Sequence, residues 1–192
     1  MESVGVVSIL KIDFAEVYRR HLGRHSQLGI NVLHLIAVYG VYFSVFSAAA
    51  AGVSLLFPEQ PFIGRGMTLF VLSMPWLGVL AANVPLRPLV LSVLSSVILS
   101  AAAAVYPIPW WLALLLLPAW HQLQQISHRW YTVSRDMSGY QQRYPKGARL
   151  VVMLAVFELP ILLNYLLIGD VEQRSQGDYA GQICEPPSTR ST

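Results

Sequence analysis

Five histidines carry most of the chemistry this sequence can offer. His21 and His25 stand four residues apart, His34 lies inside the first long apolar run, and His121 and His128 are seven apart further along. Helical spacings of four and seven place side chains on one face. Neutral imidazole ligates iron, zinc and copper, and iron oxygenases commonly add a carboxylate while leaving positions free for oxygen and substrate. Glu158 is a carboxylate at a depth comparable with His121. Tyr18, Gln124 and Glu158 are the side chains placed to fix imidazole tautomers. Plainer readings stand beside this one. An HxxxH pair arises often by chance, and His21 and His25 next to Arg19, Arg20 and Arg24 suit lipid headgroups. His34 and His121 suit hydrogen bonds between helices. Glu158 also suits a bond to His121 or a place beside the carbonyl that Pro160 frees.

The elements that must hold these residues are set by composition. Of 192 residues, 55% are hydrophobic and 12% charged, with a net charge of +3. Soluble domains run about 25% charged. Between Leu28 and His128 the only formal charges are Glu59, Arg65 and Arg87. The sequence therefore describes an integral membrane protein. Alternating barrel strands are missing, and helices satisfy their own backbone hydrogen bonds in lipid, so the fold class is an all-α bundle. The single cysteine, Cys184, excludes an internal disulfide framework and a cysteine-ligated metal. The first 25 residues lack the apolar core of a cleaved signal peptide. There is no P-loop, dinucleotide fingerprint or nucleophile elbow, and nothing calls for nucleic acid.

Three regions are expected. Residues 1–27 contain an amphipathic interfacial helix over about 8–25. Residues 28–169 form the bundle, with five spans at about 28–57, 67–83, 88–106, 110–131 and 148–168. The first exceeds the roughly 20 residues of a straight span, which makes it long, tilted or broken, with Gly40 and Gly52 as break points. Trp76, Trp110, Trp111 and Trp130 suit interfacial anchors. Residues 170–192 are a polar, disordered tail. With the N-terminus in the cytoplasm, that side receives Lys11, Arg19, Arg20, Arg24, Arg87, Arg129, Arg135, Arg143, Lys146 and Arg149. The other side receives Arg65, Arg174 and Arg190. This asymmetry favours five spans with the N-terminus inside, and it gathers all five histidines in the cytoplasmic half. His34, six residues into its span, then lies about 9 Å deep.

Two pieces of sequence resemble a known family. Tyr18-Arg-Arg-His21, followed by Asn31-Val-Leu-His34 entering a hydrophobic span, is similar to the opening of the Mpo1-like family (the DUF962 proteins). Trp120 followed by Gln124-Gln-Ile-Ser127-His128 is similar to that family's Trp and Gln-x-x-Gly-His block. The pattern departs from the family's at HLGRH, where adjacent histidines are usual, and after His128, where Arg129-Trp-Tyr replaces an acidic residue and Pro-Ala. The resemblance implies an iron(II)-dependent dioxygenase of the endoplasmic reticulum or a bacterial inner membrane that shortens 2-hydroxy fatty acids by one carbon. Carried over, His21 or His25, His34 and His128 would be iron ligands.

The enzyme reading therefore expects iron(II), or another first-row metal, held by His21, His34, His121 and His128, with His25 as an alternate. Its partners would be a membrane lipid or fatty acyl substrate, dioxygen and, for assembly, a possible second copy of the chain. Two other readings stay open. One is a bis-histidine haem protein using His34 and His121. The other is a non-enzymatic carrier, lipid-binding or assembly subunit, whose histidines serve packing or proton relay.

Overall fold

The computed structural model describes residues 12–25, 27–131 and 147–169. The beginning of the expected amphipathic segment through Lys11, the loop cations Arg135, Arg143 and Lys146, and the tail from Asp170, with Cys184, lie outside the described residues. The described residues are all-helical apart from short turns, with no strand among them. Six α-helices follow in order: α1 (Phe14–Arg24), α2 (Leu28–Leu56), α3 (Phe62–Asn83), α4 (Leu86–Val105), α5 (Trp110–Tyr131) and α6 (Ala148–Leu163), which widens into a π-helical turn at Asn164–Ile168.

Three of them, α2, α3 and α4, have the length and apolarity to cross a bilayer, which makes this a membrane protein. Their outer surfaces fit that reading: Leu55, Leu56, Met67, Val71, Leu72, Leu94 and Ile98 are exposed, a cost in water and none in hydrocarbon. The fourth and fifth expected spans exist as helices of a different character. Helix α5 has 22 residues, but it is apolar only through Trp120, and His121, Gln122, Gln125 and Arg129 lie exposed beyond that point. The strongly apolar part of α6 and its turn is the shorter stretch Ala155–Ile168.

Of the alternatives for the first span, it is long and not broken. Helix α2 runs unbroken for 29 residues, about 44 Å at 1.5 Å per residue against a hydrocarbon core of about 30 Å. Its polar residues Asn31 and His34 fall in the first two turns, where the excess length can stand clear of the hydrocarbon. Gly40 serves another purpose, described below, and Gly52 faces open space.

Helix α1 is amphipathic as expected, but its apolar face is covered by protein. Asp13 starts it by accepting hydrogen bonds from the amides of Ala15 and Glu16 at 2.9 and 3.3 Å, the usual role of an N-cap carboxylate. Phe14, Val17, Tyr18 and Leu22 then pack with Leu77, Leu80 and Val84 from the end of α3 and with Phe157 and Ile161 of α6. Asn83 fastens the approach by accepting from the Ile12 amide at 2.7 Å. Thus α1 closes one end of the bundle. A second apolar cluster, Val38, Leu159, Leu162 and Leu163, joins α2 to α6, next in sequence to His34 and Glu158.

Candidate metal centre

At the end closed by α1, the ring nitrogens of His25, His34 and His128 converge, all lying within 4.8 Å of one another. Three elements supply them: the C-terminal cap of α1, the second turn of α2 and the last turn of α5. The His25 ring lies 4.5 Å from that of His34 and 4.8 Å from that of His128, centre to centre, and His34 and His128 are 5.0 Å apart. His25 and His34 are buried and His128 is half-buried.

Hydrogen bonds settle which nitrogen the His25 and His34 rings turn inward. His25 Nδ1 donates to the His21 carbonyl at 3.1 Å, so the lone pair of the neutral ring sits on Nε2. That Nε2 lies 3.2 Å from His128 Nε2. His34 Nδ1 donates to Glu158 Oε1 at 2.9 Å, and Gln124 Nε2 donates to the same oxygen at 3.2 Å. His34 Nε2 is left buried with no hydrogen-bond partner among the described residues, and in the neutral ring it carries the lone pair. Imidazoles whose outer N–H is fixed by a carbonyl or carboxylate are the usual metal ligands. A metal with nitrogen bonds of about 2.1 Å sets its ligand atoms roughly 3 to 4.2 Å apart. The 3.2 Å pair already meets that spacing, and the widest gap needs a shift of under about an ångström. The residues present fit a metal ion held by three neutral nitrogens.

The corner that presents His25 is held by Asn31, which is fully buried. Its Nδ2 donates to the carbonyls of His25 and Gln27 at 2.7 and 2.9 Å. Its Oδ1 accepts from His21 Nε2 at 2.8 Å. His21 in turn stacks on His25 with ring centres 4.1 Å apart. The HxxxH spacing thus divides its labour: His25 faces the cluster, and His21, one turn back, braces it.

Glu158 lies two residues before a proline in α6. Pro160 has no N–H for the carbonyl of Val156, and Trp76 Nε1 from α3 takes that carbonyl at 3.0 Å. The freed carbonyl is therefore occupied, and the Glu158 carboxylate bonds to His34. Trp76 is an internal donor, whereas Trp110, Trp111 and Trp130 are exposed at the ends of α5.

Besides His21, expected as a ligand and found bonded to Asn31 while His25 joins the cluster, two expected site residues fall elsewhere. His121 is exposed. It shares a face of α5 with His128, but at His128 that flank meets the end of α1, and two turns away no described element covers it. Tyr18 belongs to the apolar cluster between α1, α3 and α6, with its ring stacked on Phe14 at 6.3 Å. Haem finds no place either. Ring centres 4.1–5.0 Å apart leave no slot for a macrocycle among the buried histidines, and the His34–His121 pair is not formed.

The sequence places Trp76 at the interface and Gly40 at a break, and it assigns no role to Ser44. The hydrogen bonds that define the roles of Trp76 and Ser44 cross 80 and 76 residues of sequence. No protein-family model, no curated protein and no solved structure matches the chain.

Proposed function

We propose that this protein is a membrane-embedded non-haem metal oxygenase, with iron(II) held by His25, His34 and His128 and with a lipid or 2-hydroxy fatty acid as substrate. The observation that carries the reading is the buried Nε2 of His34, which has no hydrogen-bond partner among the described residues and faces His128 and a His25 ring whose outer N–H is directed to a backbone carbonyl. Three nitrogen ligands leave coordination positions free, the arrangement that oxygen-activating iron requires. The iron(II) would supply the activation of dioxygen. The protein's own residues would do the rest. Glu158 and Gln124 hold the His34 ring in one tautomer, and Asn31 holds the corner that carries His25. The likeness in sequence to the Mpo1-like family supports the choice of iron and of a 2-hydroxy acyl substrate. The distribution of Lys and Arg supports placing the N-terminus and the centre on the cytoplasmic side, in a bacterial inner membrane or the endoplasmic reticulum.

The test is elemental analysis of detergent-purified protein after anaerobic addition of ferrous iron, wild type beside His34→Ala. About one equivalent in the wild type and none in the variant supports the reading, and consumption of oxygen with 2-hydroxy fatty acids then tests the substrate. Wild-type protein that holds no metal above background defeats it.

A further inference from the structure

His34 and His128 sit between two points where an aromatic ring of α5 lies directly on a glycine of α2. A Cβ built on Gly29 would stand 2.4 Å from the Tyr131 ring, and one on Gly40 would stand 2.3 Å from two ring atoms of Trp120. Real side chains do not approach this closely, so both positions admit the neighbouring ring because they have no Cβ. The pairs Gly29–Tyr131, His34–His128 and Gly40–Trp120 follow one another in opposite directions along the two helices. Helices α2 and α5 therefore pack antiparallel in one register, with the histidine pair bracketed above and below.

The two contacts differ in stiffness. At Gly29 the ring atoms concerned are the far end of Tyr131. At Gly40 they are the fused bond of the Trp120 indole, whose Nε1 donates to Ser44 Oγ at 3.3 Å, while Ser44 Oγ donates to the Gly40 carbonyl at 2.8 Å. The indole is thus pinned onto the glycine by the next turn of the same helix. Gly52, on the same helix, and Gly78 have nothing within 4 Å.

We infer that Gly40, Ser44 and Trp120 form a register clamp that sets the approach of α2 to α5 and so brings the His34 and His128 ring nitrogens within reach of one metal ion. They are positioning residues and touch no metal themselves. This rests on the metal-centre reading, but the clamp can be measured without it. Nitroxide labels at Val45→Cys and Leu115→Cys, both exposed, in a Cys184→Ser background report the distance between α2 and α5 in the full chain by pulsed electron resonance. Gly40→Ala is expected to shift that distance and to weaken ferrous iron binding about tenfold or more, the scale seen when a ligand's support is removed. Gly52→Ala is expected to change neither. Ser44→Ala, which leaves the glycine intact, gives a smaller change in the same direction and serves if Gly40→Ala does not fold. An unshifted distance in Gly40→Ala overturns the clamp whether or not the wild type holds metal. A shifted distance with unchanged affinity overturns its service to the centre. A wild type without metal defeats the function proposed above and leaves the distance to judge the clamp.

Discussion

His34 Nδ1 lies 2.9 Å from Glu158 Oε1, although 124 residues separate them in sequence. The contact ties the second turn of α2 to the middle of α6 and leaves the other nitrogen of His34 facing His25 and His128. A carboxylate behind an imidazole orients the ring and raises its basicity toward a metal.

Replacing that carboxylate should therefore be felt at the metal. Glu158→Leu is expected to lower ferrous iron affinity roughly 10–100-fold. Glu158→Gln should cost less, because its amide oxygen can still accept from Nδ1. Competition against a chromophoric chelator in detergent gives both values. Equal affinities for Glu158→Leu and wild type would show that the contact serves packing alone.

A panel of histidine variants distinguishes the cluster from the full set of five. His25→Ala, His34→Ala and His128→Ala should each lose the metal, since each supplies a converging nitrogen. His121→Ala should keep about one equivalent, because its ring is exposed away from the others. His21→Ala should bind more weakly than wild type without losing the site: it removes the brace on Asn31, but the backbone carbonyl that orients His25 remains. Metal content of the five purified variants decides this, and loss of metal from His121→Ala as complete as from His34→Ala would refute the three-residue assignment.

These contrasts show how far the sequence reaches. The helical class and the gathering of polar residues at one end follow from composition and from the distribution of charge, which are visible locally. His34, Gln124 and Glu158 could be picked out because a polar group in an apolar run needs a reason to be there. What separates His128 from His121 is not local. Both lie on one face of α5, and the end of α1 and the second turn of α2 meet that face only at His128. Tyr18 failed for the same reason. Its place beside His21 in sequence suggested chemistry, whereas its helix turns it into the apolar cluster with Phe157 and Ile161.

Asn31 is expected to be among the residues least tolerant of change. Its amide makes three hydrogen bonds while fully buried. Asn31→Ala leaves the His25 carbonyl without that donor and His21 Nε2 without its acceptor. A buried group left without a partner costs about 1–3 kcal/mol. Asn31→Asp keeps the acceptor but loses the donor to the carbonyls, and should be nearly as damaging. Unfolding in mixed micelles by added SDS measures both. A loss below about 0.5 kcal/mol for Asn31→Ala would mean that the corner is held by other contacts.

Trp76 and Pro160 should be coupled across the bundle. The indole N–H satisfies the Val156 carbonyl that proline leaves without an intrahelical partner. Trp76→Phe preserves an aromatic ring against Tyr42, whose ring centre is 5.2 Å away, and removes only the donor. Its cost should be about 1 kcal/mol, the scale of one hydrogen bond inside a membrane bundle. In a Pro160→Ala background the new amide can bond the Val156 carbonyl itself, so Trp76→Phe should then cost little. The double-mutant cycle should give a coupling of about 0.5–1 kcal/mol, read from the same SDS unfolding midpoints. Pro160→Ala alone should weaken metal binding as well, because straightening α6 turns Glu158 away from His34. A coupling of zero would mean that the indole contributes by packing alone, and unchanged metal binding in Pro160→Ala would mean that the proline does not aim the carboxylate.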